Sequence, residues 1–155
     1  MTREDAYFER LLLLAGFWNG YDEWLDGYLK REEPLSDIVL ELVDCGGDMK
    51  EVEYRLNLYC LEKPFDEESV HERLRLFLWD GYKSGKMSKD EVLAAMGKFS
   101  RILPDGGAFG RDFEILYYDY DLVEGGVISE EQFDGEFLAF LESGKSVDWE
   151  KVYRK

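Results

Sequence analysis

Histidine occurs once in the 155 residues, cysteine twice and proline three times. One imidazole, His71, and two thiols, Cys45 and Cys60, cannot close a tetrahedral zinc site at any standard spacing. A Cys–His or Ser–His nucleophile would rest on His71 alone, and Val70-His71-Glu72 matches no catalytic pattern. Set on a helix among charged neighbours, His71 is expected at the surface. No apolar run approaches the roughly 18 residues that span a bilayer. The run Leu11 to Ala15 is short and follows Glu4, Asp5 and Glu9, where a signal peptide carries bases. Without a secretory signal the two cysteines, which belong to no paired motif, read as buried reduced thiols and the compartment as cytoplasmic. The glycine-rich stretch from Asp105 to Gly110 lacks both the P-loop lysine and a preceding strand, and reads as a connection between helices.

Bases are also scarce: 19 Lys and Arg face 35 Asp and Glu, a net charge of −16. Such a field repels nucleic-acid phosphates and anionic headgroups, which argues against direct binding to nucleic acid or membrane and for a basic protein partner. The excess is uneven. Residues 1–50 carry 12 acids and 5 bases (−7), residues 51–100 carry 10 and 8 (−2), and residues 101–155 carry 13 and 6 (−7). With 45% hydrophobic and 15% aromatic residues the chain is nonetheless a folding sequence and not an acidic tail. Its length suits one domain.

The apolar residues recur at helical spacing throughout. A first helix is expected from about Arg3 to Gly16 with Thr2 as cap, broken at Asn19 or Gly20. A second carries Tyr21, Trp24, Leu25, Tyr28 and Leu29, and Ser36 caps a third through Val43, ended by Gly46-Gly47. Asp48 with Glu51 opens a fourth and Asp66 a longer fifth. Ser88 with Glu91 and Ser129 with Gln132 are capping boxes that open two more, with a helix bearing Phe113, Leu116, Tyr117 and Tyr120 between them. A last turn holds Val147, Trp149 and Val152. Strand-like alternation is lacking, so the expected fold is all-α, a single domain of antiparallel helices over 1–155 with short connections.

Two segments, 70–103 and 111–144, form a helix–loop–helix pseudo-repeat. Asp80, Gly85, Met87, Ser88, Glu91, Val92, Met96 and Phe99 recur forty-one positions later as Asp121, Gly126, Ile128, Ser129, Gln132, Phe133, Phe137 and Phe140. The loops resemble degenerate EF-hands. Asp80 to Glu91 matches the calcium loop at its first, sixth, eighth and twelfth positions, but Tyr82 replaces the third-position carboxylate and Lys83, Lys86 and Lys89 bring cations. The second loop has Val123 at position three and Gln132 in place of the bidentate Glu. No calcium, metal or cofactor is expected.

Two aromatic–acidic clusters remain: Phe17, Trp18, Tyr21, Asp22, Trp24 and Asp26; and the run from Tyr117 to Asp134. Rings among carboxylates suit the grip of a basic surface, the rings anchoring and the charges steering. The partner-binding set is read as Tyr118, Asp119, Tyr120, Asp121, Glu124, Glu130, Glu131 and Asp134, the first cluster being the competing surface. With its helical pairs around Trp79-Asp80-Gly81-Tyr82 and Tyr117-Tyr118-Asp119-Tyr120-Asp121, and its acidity, the chain resembles the small acidic immunity proteins of bacterial toxin systems, including contact-dependent inhibition. That resemblance implies a protein without enzymatic activity that binds and neutralises one cognate toxin, a basic one such as a nuclease. Two alternatives stand beside it: a degenerate EF-hand-like regulator that binds helices, and a small all-α enzyme built on carboxylates.

Overall fold

Short polar side chains set the helix starts. Thr2 accepts the Asp5 backbone N–H at 3.0 Å, Asp48 that of Glu51 at 3.2 Å, Asp66 that of Ser69 at 3.2 Å and Ser88 that of Glu91 at 3.1 Å. Each takes up a donor that the first helical turn leaves without a partner. The computed structural model describes residues 1–103, 109–148 and 150. Among them are eight helices and no strand: α1 (Arg3–Leu14), α2 (Tyr21–Arg31), α3 (Asp37–Asp44), α4 (Met49–Leu61), α5 (Glu67–Lys83), α6 (Lys89–Ile102), α7 (Gly110–Glu124) and α8 (Glu130–Ser143). The all-α domain gathers into two compact units, Met1–Val70 and His71–Lys155.

Several local expectations need correction. Ser36 stands at the cap position of α3 but makes no capping bond; its hydroxyl donates to Glu32 at 2.9 Å, a stronger charged acceptor. Only the first capping box is reciprocal, the Ser88 N–H donating to Glu91 at 3.2 Å. Ser129 accepts the Gln132 N–H at 3.5 Å, but the Gln132 carboxamide oxygen is buried without a hydrogen bond among the described residues. His71 is buried, not at the surface, at 2% exposure. Val147 lies outside any helix. Trp149, Val152 and residues 105–108 of the glycine-rich connection fall outside the described residues.

In the first unit α1 packs on α4, α3 on α4 and α2 on α3. Ala6, Leu11, Val39, Leu42, Val52 and Leu56 are fully enclosed. The Tyr28 hydroxyl donates to Asp5 at 2.7 Å, while Arg3–Glu62 at 2.9 Å and Arg10–Glu53 at 3.0 Å join α1 to α4. Both thiols are free; Cys60 is buried and Cys45 half-buried.

In the second unit the two helix–loop–helix segments match bond for bond. Ser84 N–H to Asp80 C=O, Gly85 to Tyr82 and Met87 to Gly81 have counterparts forty-one residues on: Gly125 to Asp121, Gly126 to Val123 and Ile128 to Leu122. Gly85 and Gly126 sit at φ +80° and +77°, where a side chain is strained. Helices α6 and α8 are both 14 residues long. Between α6 and α7 the backbones come close at Gly97, where a Cβ would meet the Tyr117 ring at 2.7–2.8 Å. Phe113 packs edge-on against Phe140 with centroids 5.7 Å apart. Two buried carboxylates hold the segment after α8: Asp112 accepts the Val147 N–H at 2.9 Å and Glu136 that of Asp148 at 3.2 Å.

Two glycines inside helices should therefore respond oppositely to the same substitution. Gly135→Ala meets nothing within 4 Å at an exposed position of α8 and should stabilise by about 0.5–1 kcal/mol through helix propensity. Gly97→Ala forces the Tyr117 ring aside and should destabilise by about 1–3 kcal/mol. Denaturant melts of the two variants check the pair, and a Gly97→Ala that stabilises refutes the close packing.

Candidate partner-binding surface

On α7, Glu114, Tyr118 and Asp121 follow at spacings of four and three and share a face. All three are exposed, Tyr118 at 52%, and the exposed Glu124 continues the same edge. Tyr118 is kept there because its neighbour Tyr117 turns the other way to lie against Gly97, the two rings meeting edge-on at 5.0 Å. This is an aromatic group framed by carboxylates, with no buried charge.

The rest of the expected set is arranged differently. Tyr120 packs on Phe133, 5.2 Å between centroids, and both rings receive the Lys89 ammonium, at 4.8 and 5.7 Å. Glu130 at 3.4 Å and Asp134 complete the clasp. Burial alone lowers the Lys89 pKa, but these carboxylates more than offset it and hold it above the usual lysine value. Tyr120, Glu130 and Asp134 are thus spent on a cation of the chain itself. Asp119 is half-buried, whereas Tyr118, Asp121, Glu124 and Glu131 remain exposed. The sequence carried a sign of this division: Lys89 and Glu130 occupy equivalent places in the two repeat copies with opposite charge.

The competing N-terminal cluster is split. Tyr21 is 2% exposed, and Trp24 stacks between it and Tyr28, with centroids 5.9 and 5.2 Å apart. Trp18 points outward at 57% exposure, its indole N–H fixed to the Leu13 carbonyl at 2.8 Å. It borders an open cleft of about 490 Å³ with Leu13, Leu14, Met49 and Lys50.

The loops that resemble calcium sites have their first four positions inside helix: α5 runs to Lys83 and α7 to Glu124. Helical side chains at Asp80 and Tyr82 fan apart by about 200° and do not converge on an ion. Among the described residues no group of three His, Cys, Asp or Glu side chains is placed to hold a metal. Calorimetry should accordingly register no binding of calcium at micromolar concentration. A heat that saturates there and vanishes with Glu91→Gln would refute this.

Sequence periodicity missed the buried acids. Glu9 is 4% exposed on α1, and burial pushes its carboxyl up to about 7. The nearby Tyr21 hydroxyl is likewise buried, without a hydrogen bond among the described residues, and its pKa is raised, by burial first and by Cys45 and Glu9 next. An acid whose folded pKa lies above its unfolded value favours folding when protonated. Its contribution is complete below about pH 4.5 and is lost as pH rises toward 7. Glu9→Gln removes that loss, so the variant should exceed the parent in stability at pH 8 by on the order of 2 kcal/mol, the gap closing by pH 5. Urea melts across this range are the check, and a gap independent of pH refutes the assignment.

No family model, no curated protein and no solved structure matches the chain.

Proposed function

We propose that the chain is a non-enzymatic binding protein that neutralises a basic partner, an immunity protein for a toxin, with a nuclease as the class of toxin its charge best suits. One observation carries the reading: an exposed tyrosine, Tyr118, stands on α7 among exposed Glu114, Asp121 and Glu124 in a chain of net charge −16. A protein that handles phosphates is basic, and an acidic inhibitor meets it quickly because opposite fields steer the encounter. Tyr118 supplies what charge alone does not, a rigid apolar face with a polar tip and little side-chain entropy to lose. Glu131 extends the acidic rim, while Lys89 already occupies the second aromatic–acidic pocket of this unit. Binding in this mode needs no cofactor.

The protein encoded immediately upstream of this gene is the first partner to test. Reversing Asp121 and Glu124 to Lys together should lower the association rate about tenfold at low salt and flatten its salt dependence. Tyr118→Ala should leave that rate nearly unchanged and raise the dissociation rate. Stopped-flow and surface-plasmon kinetics separate the two effects. An acidic partner, or association indifferent to salt and to both reversals, would sink the electrostatic reading.

A further inference from the structure

The first unit carries two rows at the same helical spacing. On α3, Asp37, Glu41 and Asp44 are all exposed, and no base lies on that helix. On α4, Tyr54, Leu58 and Leu61 stand at 51%, 40% and 73% exposure, three large apolar side chains left in water. Both rows follow the i, i+4, i+7 pattern and so run along single helix faces. A cleft of about 330 Å³ lies between them, where Asp37 and Glu41 from α3 face Arg55, Leu58 and Tyr59 from α4, so that Leu58 is the member of the apolar row that borders it. The cleft continues into a smaller hollow that Glu41 and Asp44 line with Arg55. Arg55 is the one base of either lining, and it is engaged, its Nε donating to Glu51 at 2.8 Å. Arg55 also feels the Glu41 carboxylate, while Asp37 and Asp44 stand exposed on a helix that carries no base.

We infer that this α3–α4 face docks a basic amphipathic helix of a partner protein, its apolar ridge on Tyr54, Leu58 and Leu61 and its Lys or Arg side chains toward Asp37, Glu41 and Asp44. A helix suits the row, because its own apolar ridge at i, i+3, i+4 and i+7 packs along a neighbouring helix face while its flanking positions carry charge toward the acids. The row spans about 10 Å, two turns of a partner helix. Charge selects the sign: a second copy of this chain brings a further −16 and is repelled. The contact is distinct in composition from the α7 surface, two of its three anchors being aliphatic and its acids lying on a separate helix.

The test uses the whole chain, isotope-labelled, titrated with three acetylated fourteen-residue peptides. One has leucine at i, i+3, i+4 and i+7 with lysine elsewhere; one replaces lysine by glutamate; one has the first composition with leucine and lysine alternating. Amide shifts from the first peptide should concentrate in residues 37–44 and 54–61. Leu58→Glu with Leu61→Glu, and separately Asp37→Lys with Glu41→Lys, should each weaken its binding about tenfold or more. The other two peptides should bind at least about tenfold more weakly than the first. The substituted side chains are exposed, so circular dichroism should be unchanged and the melting temperature should fall only slightly, for Asp37→Lys, which removes the first-turn acid of α3. Equal binding by the Leu58/Leu61 variant, equal binding by the alternating peptide, shifts centred on α7, or no binding at all would each overturn the inference. Reversal of Asp121 and Glu124 should leave the peptide mapped to the same residues, which separates this surface from the one on α7.

Discussion

An excess of carboxylate on a helical chain is tolerable only where something offsets it, and the helix N-terminus is what this fold uses. Every one of the eight helices has an acid in its first turn, from Glu4 and Asp5 in α1 to Glu130 and Glu131 in α8. There the backbone N–H groups and the aligned peptide dipoles favour negative charge by about 0.3–1 kcal/mol each. Last turns are treated less evenly, bases appearing there only in α2, α5 and α6. The few remaining bases act mainly as internal ties: Arg3 and Arg10 join α1 to α4, Arg75 is buried and donates to the Leu141 carbonyl, and Lys89 is clasped by two rings and two acids. With these four bases spent on internal ties, the acids outnumber the exposed bases by a wider margin.

The same economy explains the paired segments of the second unit. Their loops share hydrogen bonds, glycines in left-handed backbone and helix lengths, yet their equivalent side chains differ where they meet. Lys89 and Glu130 lie at corresponding positions and pair with each other at 3.4 Å. Two identical copies meeting there would set like charges together, so the difference removes a repulsion and adds an attraction. Gly97 and Leu138 also correspond, and only the glycine admits the Tyr117 ring. Equal backbones with unequal contact residues give each half a distinct place in the core.

Helix starts were legible in the sequence because capping is a local reaction between a side chain and the backbone three residues on, as at Thr2, Asp48 and Ser88. Ser36 and Gln132 departed from expectation because each sits within reach of a different environment, Glu32 in one case and a buried niche in the other. Burial of charged residues was not legible. Glu9 lies on α1, which is enclosed on most sides, and His71 lies on α5 beside buried Val70 and Leu74, whereas a periodicity argument assigns such polar residues to water. The acidic run 118–134 was found by composition, which could not tell that Tyr120, Glu130 and Asp134 are held by Lys89, a residue thirty-one positions or more away. The α3–α4 face escaped altogether, since an acidic row and an apolar row become one surface only when two helices pack.

Charge and apolar contact have different reach, and that sets what each surface can contribute. At physiological ionic strength the Debye length is about 8 Å, so distant members of the acidic excess are screened and only carboxylates beside a contact steer it strongly. Exposed ion pairs contribute about 0–1 kcal/mol apiece. Acids alone would thus make a partner arrive quickly and leave quickly. Residence requires desolvated anchors, and exposed apolar side chains such as Tyr118 on α7, Trp18 at its cleft, and Tyr54, Leu58 and Leu61 on α4 can serve. On α7 Tyr118, and on α3–α4 Leu58, stand beside exposed acids, so in the proposed reading charges that guide a basic partner would deliver it onto apolar side chains already in place. A uniform acidic coat would lack that coincidence, and it is what distinguishes a binding surface from charge that only keeps a protein in solution.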